Sequence, residues 1–163
     1  MDGLQPITPA QARTIATWIR SGPEAVLFAG PEFSWPVSPQ LLLGAPERRL
    51  SVYVLTDPAG RPVATGSLRP REDGRVAHIG RVLVDPGRRG EGWGRRLMEA
   101  LLERAWADPG VELATLRVFV HNRPAGALYE KLGFRSSGQL LTTAVGDEVW
   151  QSVELRLPRP DGG

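Results

Sequence analysis

Cysteine is absent from the 163 residues, which removes disulfide staples, thiolate metal sites and a cysteine nucleophile together. Lysine is almost absent: Lys131 is the only one, and the remaining positive charge is arginine. Two histidines, His78 and His121, stand far apart; without cysteine they do not make a ligand set, so no metal is expected. No apolar run approaches the ~20 residues that cross a bilayer. The opening Met1-Asp2-Gly3-Leu4-Gln5-Pro6 has neither the basic start nor the apolar stretch of a secretory signal. The expectation is a soluble, cytoplasmic protein with no membrane partner. A strong excess of one charge sign is missing too, since the formal net charge is only +2. Nucleic-acid binders gather basic residues on one face with aromatics between them. Here the arginines are scattered among nearly as many acids, so no nucleic-acid partner is expected.

What is present is a globular composition. With 41% hydrophobic and 23% charged residues, the chain resembles folded domains rather than disordered or fibrous sequences. Its length suits one domain, and a domain of about 150 residues hides close to 70% of its unfolded surface. Thr8-Pro9 supplies an N-cap and an early proline for a helix over Ala10–Ile19. Ser21–Pro39, rich in proline and holding Phe28, Phe33 and Trp35, reads as an ordered loop before a short helix over Ser38–Leu43. Alternation predicts strands over Leu50–Thr56 and Pro62–Leu68, joined by the turn residues Asp57-Pro58-Ala59-Gly60. A further strand covers Val76–Val84. Helical spacing of Leu97, Leu101, Leu102 and Ala105 predicts a helix over Gly92–Ala107. Leu113–Val120 follows as a strand, then a helix opened by Asn122 and Pro124 and stopped by Gly133. Phe134–Thr143 and Val149–Leu157 are two late strands. The total is an α/β domain, residues 1–157, of about seven strands and about four helices covering both faces of one sheet. Residues 158–163 read as a frayed tail.

The most informative stretch is Val82-Leu83-Val84-Asp85-Pro86-Gly87-Arg88-Arg89-Gly90-Glu91-Gly92-Trp93-Gly94-Arg95-Arg96-Leu97. A strand ends, a glycine-rich loop follows and a helix begins at once. The orphan N–H groups of a helix start, with the helix dipole behind them, bind phosphate. Glycines let the backbone approach the anion closely, and flanking arginines add charge-assisted contacts. A Walker A loop would end in Gly-Lys-Ser/Thr, and the Rossmann fingerprint would need glycine at position 95; Gly94-Arg95-Arg96 fits neither.

The spacing Arg89-x-x-Gly92-x-Gly94 instead resembles the acetyl-CoA loop of the GNAT N-acetyltransferase superfamily. Downstream, Asn122-Arg123-Pro124-Ala125-Gly126-Ala127-Leu128-Tyr129-Glu130-Lys131-Leu132-Gly133-Phe134 is similar to the same family's N-x-x-A-x-x-L-Y-x-x-x-G-F signature at every defining position. The resemblance implies a single-domain GNAT fold with a mixed, mostly antiparallel central sheet. It implies acetyl-CoA as cosubstrate, held by the loop residues Arg88, Arg89, Gly90, Glu91, Gly92, Trp93, Gly94 and Arg95. The backbone of Val82, Leu83 and Val84 would meet the thioester and pantetheine arm, together with Asn122 and Tyr129. Homodimerisation is expected on the same ground alone.

Acetyl transfer to an amine needs a neutral nucleophile, a donor for the oxyanion and a proton for the departing thiolate. Backbone N–H groups around Val82–Val84 are the expected oxyanion donors. Tyr129, at the family's tyrosine position, is the expected general acid, since a phenol with pKa near 10 is protonated at neutral pH. Many relatives carry a glutamate on the fourth strand; here His78 occupies that neighbourhood and is the candidate base, with a chain of waters as the alternative. The acceptor side should be formed by residues 22–43 and the late hairpin near Thr142–Trp150. Phe28, Phe33, Trp35 and Trp150 are either pocket or core. Glu24, Glu32 and Glu148 are either attractors for a cation or ordinary surface acids. The resulting expectation is an N-acetyltransferase acting on a small-molecule amine. A protein or peptide acetyltransferase, or a non-catalytic acyl-CoA-binding module, are the alternatives.

Overall fold

In the computed structural model, which describes residues 3–31 and 33–161, seven strands form one sheet. They are β1 (Leu4–Pro6), β2 (Ser51–Thr56), β3 (Pro62–Arg71), β4 (Val76–Val84), β5 (Leu113–Phe119), β6 (Arg135–Val145) and β7 (Glu148–Pro158), in the order β1-β2-β3-β4-β5-β7-β6. Every neighbouring pair is antiparallel except β4–β5. The five helices are α1 (Pro9–Ala16), α2 (Gly22–Ala29), α3 (Pro39–Leu42), α4 (Trp93–Trp106) and α5 (Arg123–Lys131).

Adjacent residues on a strand face opposite sides of the sheet, and β2 shows the consequence. Val54 packs with Ile15, Phe28, Phe33 and Leu42 from the α1–α3 region, while Leu55 packs with Leu97, Met98 and Leu101 of α4. One layer, α1–α3, therefore covers one face, and α4 with α5 covers the other. α1 begins with a complete capping box, Thr8 and Gln11 exchanging side-chain bonds with each other's backbone.

Three sequence expectations shift. The Ser21–Pro39 segment is half helix: Ser21 caps α2, with Gly22 and Pro23 in its first turn. Proline at a helix start costs no hydrogen bond, so its abundance there did not mean a loop. β1 is only three residues long, too short to carry a periodicity. Residues 158 and 159 are held rather than frayed: Pro158 closes β7, and the Arg159 side chain donates to the carbonyls of Val111, Trp106 and Asp108.

β4 and β5 pair only over Val76–Ile79 and Leu113–Leu116. Beyond that the two parallel strands part. The β3–β4 register skips a residue between Ser67↔Gly80 and Thr65↔Leu83, and Arg81 takes a left-handed φ of 51°. Such a bulge bends the strand and ends its pairing. The fold thus holds a wedge between β4 and β5 with a helix start at one rim.

Candidate active site

The wedge is lined by main chain without ladder partners. Asp85 N–H donates to Val63 of β3, and successive N–H groups along a strand alternate in direction. The N–H groups of Val84 and Val82 therefore point to the open side, toward β5. Among the three residues expected to supply donors, Leu83 turns its N–H to β3 and its side chain into the α1–α3 layer.

At the rim, the chain turns through a 3-10 turn, Pro86–Arg88, capped by the Asp85 carboxylate on Gly87 N–H at 2.9 Å. Gly90 and Gly92 have φ of 82° and 87°, a region only glycine adopts without strain. Gly92 is the N-cap of α4 and no side chain caps that helix, so its first N–H groups face outward. A Cβ on Gly90 or Gly92 would meet nothing within 4 Å, which leaves the space in front of those amides open to an anion. Gly94 lies against Leu128 and Val84, letting α4 sit close to α5 and β4. The residues present thus fit a pyrophosphate cradle.

The loop arginines divide by environment. Arg88 is held from both sides, by Asp57 at 3.0 Å and Glu91 at 2.9 Å, with its guanidinium over Trp93. The backbone N–H of Arg61 and then Arg88 itself hold the Asp57 carboxyl below its usual range. Arg88 and then the Trp93 indole do the same for Glu91. Arg88, Glu91 and Trp93 are therefore a brace that fixes the loop's shape. Arg89 is exposed, and among the described residues Arg95 is paired only with Glu99, one turn on, at 3.4 Å; these two reach outward. An open cleft of about 500 Å³ lies behind Trp93, lined by Asp57, Glu99 and Glu103 among others. Its acids have the wrong sign for a phosphate.

Across the wedge, Asn122 is the N-cap of α5 but makes no side-chain capping bond, so its amide is free for another partner. Tyr129 is 6% exposed, its ring edge-to-face with Phe134 at 6.2 Å. Its hydroxyl has no hydrogen-bond partner among the described residues, and burial pushes its pKa up to about 12. The ring is core; the hydroxyl is uncommitted.

His78 sits in the paired half of the sheet, with Thr115 Oγ1 at 2.8 Å and Arg71 Nη1 at 3.3 Å from its Nδ1. Burial, then Arg71 and Arg69, push its pKa down to about 4. It is neutral at pH 7 but weakly basic.

On the acceptor side, Phe28 and Phe33 belong to the core under α1–α3. Trp35 is half exposed, with its indole donating to the Ile19 carbonyl. Trp150 forms a stack with His121 and Phe119 at 4.5 and 5.2 Å. Glu24 is taken up by Ser21 and the Arg20 N–H, Glu148 by the Trp150 indole, and Glu32 lies outside the described residues. None of the acids placed here is a free attractor. Two side chains escaped the sequence reading. Arg81, at the bulge, donates to the Leu41 carbonyl and lies 4.7 Å over the Phe33 ring, tying the α2–α3 connection to β4. Arg117, in β5, projects on the acceptor face. Its charge, the only one inside Leu113–Phe119, was a signal, since strand alternation places it opposite the buried Leu116 and Val118.

A model described as the acetyltransferase (GNAT) family matches residues 15–134. The L-methionine sulfoximine/L-methionine sulfone acetyltransferases of Pseudomonas aeruginosa and Pseudomonas paraeruginosa are each 34% identical over 109 residues. That match spans 64% of this chain and only 60% of each relative. Among solved structures, spermidine N-acetyltransferase from Vibrio cholerae, in complex with CoA and spermine, superimposes with a TM-score of 0.77 at 19% identity. It covers 95% of this chain and 94% of its own. Aminoglycoside acetyltransferase AAC(6')-Ib, in complex with ribostamycin and coenzyme A, gives 0.76 at 21% identity over 96% of this chain and 92% of its own. At such identities the likeness is one of fold.

Proposed function

Because the chain belongs to the acetyltransferase (GNAT) family, we propose that it transfers the acetyl group of acetyl-CoA to a primary amine of a small molecule. The observation that carries this is the wedge: strand amides without ladder partners run into an uncapped glycine-rich helix start, and the Tyr129 hydroxyl on α5 is uncommitted.

In this reading the α4 N–H groups, Arg89 and Arg95 hold the pyrophosphate, and Asn122 the pantetheine arm. The N–H groups of Val82 and Val84 donate to the thioester carbonyl oxygen, where negative charge builds as the amine attacks. The C–N bond forms, the C–S bond breaks, and the departing sulfur takes the proton of Tyr129 Oη. Solvent restores the tyrosine proton, and the amine's surplus proton leaves to water. An α-amine with pKa near 8 is partly neutral at physiological pH, so it does not need a strong base. With a pKa near 4, His78 is better suited to buttressing β4 than to proton abstraction.

A small acceptor is supported by the α2–α3 connection, which Arg81 ties down beside the wedge; a peptide would need an open groove. The named relatives point the same way, one pair acting on amino-acid analogues. Among the described residues no helix is long and apolar enough to cross a membrane. A homodimer belongs to the same proposal, supported by the exposed Leu140, Leu141 and Val149 on the β6–β7 hairpin at the sheet edge and read by light scattering.

The test is calorimetric titration with acetyl-CoA, followed by thiol release across a panel of amines. Micromolar binding with thiol release for one amine class is expected. Binding with no release would leave an acyl-CoA-binding module, and no binding would overturn the site assignment.

A further inference from the structure

The acceptor face of the sheet carries an arrangement of charge that acetyl transfer alone does not require. Register places Arg69, His78, Thr115 and Arg156 in one row across β3, β4, β5 and β7, with Arg117 and Glu154 opposite each other in the next row. Phe119 and Ser152 form the row after that. Directly opposed residues share a face. This one is the α1–α3 face, because the register runs from Val54 through Thr65 to Leu83, and Val54 and Leu83 both pack into the α1–α3 core.

Glu154 is the one carboxylate in these rows, and it is already taken. Arg156 approaches it at 3.1 Å and Arg71 at 3.3 Å. Burial would raise its pKa, yet Arg156 and Arg71 hold it lowered, so it stays ionised. His78 adds no charge at neutral pH. Glu148, further out on β7, is bound to the Trp150 indole. Arg117 is left with no carboxylate partner among the described residues. It is also the first β5 residue past the last β4 pair, Ile79↔Leu116, so it stands where the wedge opens. Its guanidinium donates to Ser152 Oγ at 3.2 Å, one row further toward the open end. Arg117 is exposed, while Ser152 is 3% exposed. A planar fork of donors beside a fixed hydroxyl is the arrangement that binds a carboxylate in two-point fashion.

We propose that Arg117 and Ser152 form a carboxylate anchor in the acceptor site, and that the acceptor is therefore an α-amino acid or a close analogue. This rests on the acetyl-transfer reading. In an α-amino acid the carboxylate and the amine share one carbon. A carboxylate on Arg117 thus keeps the amine close to the mouth of the wedge, where β4 and β5 part. Arg69, Arg71, Arg117 and Arg156 outnumber the single carboxylate of Glu154 on this face and keep the local field positive. That disfavours the polycationic acceptors named for the two structural neighbours and favours an anionic group.

The experiment compares L-methionine sulfone and the standard L-amino acids with their α-carboxamides, for the wild type and for Arg117→Ala, Arg117→Lys and Ser152→Ala. Arg117 is exposed, so its substitutions should leave the melting temperature unchanged. The wild type should turn over at least one free amino acid with kcat/KM at least tenfold above its amide. Arg117→Ala should erase that preference mainly through KM, with kcat within a few-fold and acetyl-CoA affinity unchanged; Arg117→Lys should restore part of it. Ser152→Ala should weaken it by a smaller factor. Equal use of acids and amides by the wild type, an undiminished preference in Arg117→Ala, or turnover of polyamines alone would each overturn the anchor and leave the acetyltransferase standing. No acetylation of any amine, with acetyl-CoA bound, would overturn both.

Discussion

His78→Gln separates a structural histidine from a catalytic one. Glutamine keeps a polar partner for Thr115 Oγ1, which stands 2.8 Å from the imidazole Nδ1, but it cannot titrate. The imidazole pKa is about 4 in the folded chain against 6.5 for a free histidine. Above pH 6.5 neither state binds the proton, and the stability associated with this site is fully present. As pH falls from 6.5 toward 4, the unfolded chain takes up the proton and the folded chain resists, so stability is lost with acid. The gap of 2.5 between those two values, at 1.36 kcal/mol each, is about 3 kcal/mol. Roughly 2 kcal/mol of it is gone by pH 5. Urea unfolding at pH 7.5, 6, 5 and 4.5 would read this as a difference between proteins. Carboxylates titrate alike in both, so only the histidine should separate the curves. The wild type should lose about 2 kcal/mol more than His78→Gln between pH 7.5 and 5. Parallel curves would show that the imidazole is not held neutral, and the account of Arg69, Arg71 and burial around it would fail. Turnover supplies the second readout: His78→Gln should keep kcat within a few-fold, whereas a drop of a hundredfold would make His78 the base.

Tyr129→Phe removes a hydroxyl without a protein partner from an otherwise packed ring. It should leave the melting temperature and the acetyl-CoA Kd unchanged while kcat falls about 10²–10⁴-fold, the usual contribution of a general acid; unchanged turnover in the thiol-release assay would remove Tyr129 from that role. Gly92→Val forces a β-branched residue to a φ of 87° at the α4 N-cap and should weaken acetyl-CoA binding at least about tenfold by calorimetry, since the helix start must deform. Gly66→Ala would put a Cβ 2.7 Å from Leu101 Cδ1 and 3.5 Å from Leu97 Cδ2. Both leucines are fully buried, so the overpacking should cost about 1–3 kcal/mol, seen as a melting temperature lower by several degrees with acetyl-CoA affinity retained.

The elements whose signal is local were legible in the chain itself. The 3.6-residue spacing of Leu97, Leu101, Leu102 and Ala105 located α4 to within one residue at either end. The glycines at 90, 92 and 94 marked a helix start that no side chain caps, because backbone geometry there depends on the residues in place. The two spaced motifs, with Asn122 and Tyr129 in the second, carried the family. What lay beyond reach was set by contacts between distant segments. Arg88 reads as a phosphate ligand beside the glycines, but Asp57, 31 residues earlier, draws it into a brace. His78 reads as a base until β3 delivers Arg69 and Arg71 to it and β5 delivers Thr115. Arg117 and Ser152, 35 residues apart, meet as diagonal neighbours only because β5 pairs with β7 in one register. Periodicity tells a residue which face it occupies; which charges it meets there depends on strand order and register, and those belong to the whole sheet.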